Sequence, residues 1–345
     1  MLGCKAAPFD ESRGPHRTSL HAEEVVLVFC DLIRSSARFA IFCGSAAIVA
    51  GGLLAFFGVV LIERPTLNWP DRRPIGALFL ADHTHVSEKN PRGWFNDPAL
   101  DIHGQEGIAR FRLAMLSYAE RSIAILHRTG AQGMIVWDIE GQQFPHKTTY
   151  IGDPRMLSRI APEAAAAADE FFRRFRDAGL RVGVTIRPQE LQFDAKGNAR
   201  QAQIRDYDRI LLEKIDHARS RWGATLFYID SNGGPLWPAE VVRLRRLALQ
   251  RPDVLLIPER HDPLYYGFSA PYGSMQRGTG PTTRTIRFFY PNAFRVLAVP
   301  DSGGEARIRD AYLNSDVLVF PAWFNGAAVQ LVERLARPEG GANIP

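Results

Sequence analysis

The chain has no cysteine beyond residue 43: its three cysteines are Cys4, Cys30 and Cys43. No disulfide can therefore staple the remaining length internally. It also lacks a block of like charge. Its 42 Lys and Arg and 37 Asp and Glu are interleaved, giving a formal charge of +5 and a pI near 9.2, too even a spread for a nucleic-acid partner. No low-complexity tract and no internal repeat is apparent, which excludes a solenoid or propeller built from repeats. No glycine-rich phosphate loop follows the first apolar run, which weakens a nucleotide-binding open sheet. No histidine follows His261.

What is present begins with a long apolar run. From Phe39 to Ile62 no residue is charged, with Arg34 and Arg38 before the run and Glu63 and Arg64 after it. At about 1.5 Å per residue it outlasts a hydrocarbon core about 30 Å thick. A signal peptide has an apolar region of only about 7 to 15 residues, close to the chain start, so an uncleaved anchor is expected. The expected order is a partly disordered tail over residues 1–38, a transmembrane helix over 39–62, a Pro-containing linker over 63–74, a folded domain over 75–337 and a tail over 338–345. Lys5, Arg13 and Arg17 add positive charge before the span, which points to an N-terminus inside and a domain on the periplasmic or extracellular side, membrane-held by a single pass.

Within the domain, short apolar runs alternate with longer amphipathic ones. Strands are expected at Ala77–Ala81, Gly133–Trp137, Arg181–Ile186, Thr225–Ile229, Val254–Ile257, weakly somewhere in Tyr266–Phe289, at Arg295–Val299 and at Val317–Phe320. Helices are expected at Ile108–Arg128, Pro162–Ala178, Asp206–Trp222, Pro238–Gln250, Glu305–Asn314 and Ala327–Ala336. Most of the strands are apolar on both faces, as strands under helices must be. The alternation predicts an α/β fold, a (β/α)8 TIM-type barrel, with an open doubly wound sheet as the alternative.

Polar residues gather just past the expected strand ends: Asp82-His83-Thr84-His85, Asp138-Ile139-Glu140, Arg187-Pro188-Gln189, Asp230-Ser231-Asn232, Glu259-Arg260-His261, Asp301 and Trp323. The C-terminal face of such a barrel is where active sites sit. Asp230 and Glu259 end the fourth and fifth strands, which would make them neighbours. A carboxyl pair is what glycoside hydrolysis needs, one group protonating the departing oxygen and the other acting as nucleophile or base. Arg187 is placed to hold the first of them ionised through a charge-assisted hydrogen bond. Asp82, His83, Asp138, Glu140, Asn232, His261, Asp301 and Trp323 are candidates for binding substrate hydroxyls or rings. Trp94, Tyr150, Trp237, Tyr265 and Tyr272 supply further flat faces.

Over roughly residues 75–336 the chain resembles the (β/α)8 glycoside hydrolases of the α-amylase and α-galactosidase type. Tyr228-Ile229-Asp230-Ser231-Asn232 looks like their strand-four nucleophile segment. Glu259 stands at the strand-five position of the amylase-like acid/base, and Asp301 at that of the third carboxylate. Two departures stand out. Tyr228 replaces the arginine found two residues before the amylase nucleophile, and no His-Asp pair accompanies Asp301. The resemblance implies an enzyme that hydrolyses a poly- or oligosaccharide through a carboxyl pair needing no cofactor or metal, and the apolar span would anchor it in a membrane.

Two rivals stand beside it. A metal-dependent barrel hydrolase would use His83 and His85, with His261 as a third ligand, although no aspartate ends the eighth strand, where Phe320-Pro321-Ala322-Trp323 stands. The other is a barrel that binds glycan at an envelope without cleaving it.

Overall fold

The computed structural model describes residues 65–97, 99–142, 151–195, 197, 199–232, 239–300, 304–323 and 326–337. The expected tails, the apolar span 39–62, and Asp301, Tyr150 and Trp237 lie outside the described residues. Among the described residues no helix is long and apolar enough to cross a membrane.

Eight parallel strands form one sheet: β1 (Ile75–Leu78), β2 (Gly133–Val136), β3 (Arg181–Ile186), β6 (Leu226–Ile229), β7 (Leu255–Pro258), β8 (Tyr272–Ser274), β9 (Val296–Ala298) and β10 (Val317–Pro321). A separate antiparallel hairpin, β4 (Glu190–Phe193) with β5 (Ala199–Ala202), is inserted after β3. The sheet order β7-β6-β3-β2-β1-β10-β9-β8 leaves β7 and β8 at its ends. The Ala270 N–H donates to the Leu256 carbonyl at 3.0 Å, tying these two ends together and nearly closing the barrel.

The strand residues are apolar in succession because both faces are buried. One alternate set, including Ile75, Ile135, Leu226, Tyr228, Leu255, Ile257, Val296, Val317 and Val319, fills the barrel interior. The other set, including Leu78, Val136, Val182, Val184, Phe227, Leu256, Leu297 and Leu318, packs outward under the helices. This division follows from the two-residue period of a strand. The outer layer holds α1 (Gly104–Arg128), the one-turn α2 (Leu157–Ile160), α3 (Pro162–Asp177), α4 (Tyr207–Trp222), α5 (Ala239–Gln250), α6 (Arg284–Phe289), α7 (Glu305–Leu313) and α8 (Ala327–Ala336). α3 shows why such segments are helical. Pro162 occupies its first turn, where a missing N–H costs nothing, and Ala164, Ala167, Ala168, Phe171, Phe172 and Phe175 recur at helical spacing on one buried face.

Besides the β4–β5 hairpin, α2 and α6, which the sequence reading did not expect, three details differ from it. The first strand begins at Ile75, so Phe79, Leu80 and Ala81 belong to the loop above it. The weak strand is Tyr272–Ser274, and between it and β7 the chain makes only a 3-10 turn, Pro263–Gly267, where a helix would complete the alternation. The segment before Ile75, read as a linker, is part of the domain: Leu67 and Trp69 are buried against the interior set at the N-terminal floor of the barrel. There the Trp69 indole N–H donates to Gln132 at 3.0 Å, and the Arg181 guanidinium lies 4.6 Å from the centre of its ring.

Candidate active site

At the C-terminal end of the barrel the register pairs Ile229 with Pro258, so the residues that follow, Asp230 and Glu259, emerge side by side from adjacent strands. Their backbone N–H groups continue the ladder, Asp230 donating to Ile186 at 2.9 Å and Glu259 to Ile229 at 3.0 Å. Both side chains continue the interior set: Tyr228 and Asp230 share one face of β6, and Ile257 and Glu259 one face of β7.

The two carboxyls are close enough for Asp230 to act on the Glu259 ionisation. Asp230 is buried and forms an ion pair with Arg187, whose Nε and Nη2 both meet its Oδ2. Glu259 is half-buried, and its Oε2 accepts the Ser231 N–H at 2.8 Å. Burial raises the Glu259 carboxyl above the usual range; the neighbouring Asp230 adds to the rise, while the Ser231 amide and the Arg187 charge oppose it. Of the two, Glu259 is the carboxyl whose surroundings favour its protonated form, and Asp230 is the one set against the Arg187 guanidinium. Ser231 adopts φ +54, a left-handed backbone that costs a residue bearing a side chain about 1 kcal/mol, and this turn aims its N–H at Glu259.

Arg187 is held from several directions. Its Nη1 donates to Gln201 Oε1 at 2.7 Å, and Gln201 Nε2 donates to the Ile151 carbonyl at 3.0 Å, so the β4–β5 hairpin braces the guanidinium. Gly152, at φ +65, comes so near that a Cβ there would lie 2.8 Å from Arg187 Cγ; any larger residue would displace the arginine. Beneath the carboxyls lies an aromatic floor. The Trp137 and Tyr228 rings are 4.8 Å apart, Tyr228 and Tyr272 are 5.1 Å apart, and Phe79 and Trp137 are 5.6 Å apart. Burial pushes the Tyr272 hydroxyl up to about 12, and the charge of nearby Glu259 acts in the same direction.

The other candidates are placed as follows. Asp138 is buried with its oxygens accepting the Leu80 and Ala81 N–H groups at 2.8 and 2.9 Å; it fixes the loop above β1, and burial raises it to about 7 despite these bonds. Asp82 caps the turn that follows it, accepting from the Thr84 amide at 2.7 Å and hydroxyl at 2.8 Å. Asn232 is fully buried and bridges β6 to the segment after β7, accepting the Arg260 N–H at 3.1 Å. His261 turns away from the carboxyls to Tyr266 and Arg295, at 3.0 and 2.9 Å from its Nε2, and burial beside that cation lowers it to about 4. Trp323 is half-buried against the outer core. Trp94 is fully buried, donating to Glu163 at 2.9 Å. Glu140 is buried, and burial lifts it to about 7.

The structure thus brings Arg187, Asp230 and Glu259 together, and places Asp82, Asp138, Asn232 and His261 in bracing roles. Of the candidate metal-binding histidines, His85 Nδ1 faces Thr84 at 3.0 Å, and among the described residues no group of three or more His, Cys, Asp or Glu converges. The sequence reading did not single out Gln201, Gly152 or Trp137 as parts of the site, and named Tyr228 only as the residue standing where the amylase arginine would be. The alternation that placed Asp230 inside the barrel also places Tyr228 there, and was the available signal for that residue.

No family model matches the chain, and no curated protein matches it. Among solved structures it is similar to a maltogenic alpha-amylase from Thermotoga neapolitana, at 13% identity over 77% of this chain and 75% of that one, with a TM-score of 0.46. It is similar also to an alpha-amylase from Lactobacillus plantarum, at 11% identity over 77% and 79% with a TM-score of 0.44. A third is an alpha-L-fucosidase from Bacteroides thetaiotaomicron, at 10% identity over 80% and 72% with a TM-score of 0.43. These neighbours are glycoside hydrolases by name. Likenesses of this order assign neither substrate nor reaction to this chain. The described domain is a nearly closed, eight-stranded parallel α/β barrel in which Asp230 and Glu259 end adjacent strands at the C-terminal mouth.

Proposed function

We propose that the chain is a glycoside hydrolase acting on a poly- or oligosaccharide, with Asp230 as nucleophile and Glu259 as general acid and base. The observation that carries this reading is the pairing of the two carboxyls on adjacent strand ends with opposite surroundings. Arg187 lies against Asp230, and burial raises Glu259. A carboxyl whose surroundings favour its proton suits the donor role, and one set against a guanidinium suits the nucleophile's. Glu259 would give its proton to the glycosidic oxygen as the carbon–oxygen bond breaks, and Asp230 would bond to the anomeric carbon. Glu259, now ionised, would take a proton from the water that releases the sugar.

A retaining pair stands about 5 to 5.5 Å apart. In this reading the two carboxyls take up that spacing around the bound sugar. Phe79 and Tyr272, the partly exposed members of the aromatic floor, offer an apolar edge to a pyranose ring, with Trp137 and Tyr228 packed behind them. In this proposal the apolar span 39–62 holds the barrel at a membrane, on the periplasmic or extracellular side.

Turnover of aryl glycosides by the full-length chain and two variants tests the assignment. Asp230→Asn abolishes turnover of every glycoside the parent accepts. Glu259→Gln slows substrates with poor leaving groups far more than activated aryl glycosides, which need little protonation. Undiminished activity in both variants refutes the pair. Glycan binding by the parent without turnover would make it a binding barrel. Stoichiometric metal, with activity lost on changing His83 and His85, would make it a metal-dependent hydrolase.

A further inference from the structure

Lys214, on α4, has no exposed surface. Its ammonium donates to three backbone carbonyls, those of Gly152 at 2.9 Å, Arg187 at 2.8 Å and Gln189 at 2.8 Å. Its counter-charge is Asp153, 3.4 Å away and itself held by Arg155, with Glu140 contributing from the end of β2. Burying an ammonium is costly, and burial lowers Lys214 to about 8. A position that needed only volume would be served better by leucine or methionine. Neither could bind three carbonyls drawn from two separate segments, the loop at Gly152 and the end of β3.

These carbonyls surround one residue of the site. The Arg187 N–H donates to the Gly152 carbonyl at 3.0 Å, and Lys214 takes both that carbonyl and Arg187's own. The main chain of Arg187 is thereby gripped on either side of its Cα, the point from which its side chain departs toward Asp230.

We propose that Lys214 is a positioning residue for the Asp230–Glu259 pair: by tying the carbonyls of Gly152, Arg187 and Gln189 to one point, it fixes the direction in which the Arg187 guanidinium meets Asp230. Lys214 touches neither carboxyl of the pair in this scheme. The kinetic consequence rests on the glycoside hydrolase reading; the geometric one does not. The ionisable groups facing the ammonium are Asp153 and Arg155 from the loop before α2, Glu140 from the end of β2 and Glu213 of α4 through Arg155.

The test uses the full-length chain with Lys214→Gln, whose shorter side chain and two amide donors cannot hold all three carbonyls, and Lys214→Met, which removes the donors. In a folded variant, kcat for an aryl glycoside falls by roughly tenfold or more while KM stays within about twofold, because a misaimed anion costs the reaction rather than ground-state binding. The Glu259 carboxyl, followed by carbon NMR, titrates at higher pH than in the parent, since Arg187 no longer holds it down. A lysine with only a packing role would lower the melting temperature and leave both readings unmoved. That result in either folded variant overturns the proposal.

Should neither variant fold, the parent decides. Its Arg187 Nε–H signal shifts over the same pH interval in which the Lys214 side chain loses its proton, and a signal flat through that interval overturns the proposal. A parent that hydrolyses no glycoside removes the functional reading, and the NMR measurements then decide the positioning role alone.

Discussion

Replacing Glu140 by glutamine isolates the effect of one buried charge. Glu140 is almost wholly buried, and burial lifts its carboxyl from 4.5 to about 7; the Asp153 charge adds to the rise, while the backbone N–H groups of Glu140 and Asp153 and the Lys214 charge oppose it. A carboxyl raised in the folded state contributes stability that is fully present below the unfolded value, and that stability is lost as pH rises through the folded value. The window therefore runs from about pH 4.5 to above pH 7. At 1.36 kcal/mol per unit, the loss totals roughly 3 kcal/mol by pH 8, of which roughly 1 kcal/mol has already occurred at pH 5.

Glutamine has nearly the same shape and no proton to lose. Glu140→Gln should therefore be more stable than the parent at pH 8 by about 2 to 3 kcal/mol, with an advantage that shrinks toward acid pH. Attraction to Glu140 is the last of the influences on Lys214, so its loss offsets little of this gain. Asp138, also raised to about 7, is common to both proteins and cancels in the difference. Thermal melts of parent and variant from pH 5 to pH 8 should show a gap in melting temperature that widens with pH to roughly 5 °C. A gap that is constant, or that narrows as pH rises, refutes the reasoning.

Trp69→Ala should cost about 3 kcal/mol, because it empties the floor of the barrel and takes from Gln132 Oε1 the indole donor; chemical denaturation reads this, and a loss below about 1 kcal/mol would show that the segment is dispensable. The full-length chain should remain with membranes after an alkaline carbonate wash, and a chain lacking residues 1–64 should be soluble and folded. Release of the intact chain by the wash, or insolubility of the shortened one, counts against the anchor or its boundary.

The sequence by itself determined the barrel strands and the helices between them, because burial on both faces forces continuous apolar runs, and a buried helical face forces the spacing seen at Ala164, Ala168, Phe171 and Phe175. It also located Asp230 and Glu259, since polar residues that end buried strands have only the mouth to occupy. Strand β8 was nearly illegible: Tyr272-Gly273-Ser274 is too short and too polar to announce itself, and pairing with β9 holds it in place. Only the tertiary structure decided which polar residues meet the carboxyls. Asp138, Asn232 and His261 read as mouth residues alongside Asp230, yet each is turned to a backbone amide or side chain whose position depends on loops distant in sequence. The same holds for the linker that became a floor, for Gln201 and for Lys214. Their partners lie 63, 14 and up to 62 residues away along the chain, and a local pattern carries no record of what folding brings across that distance.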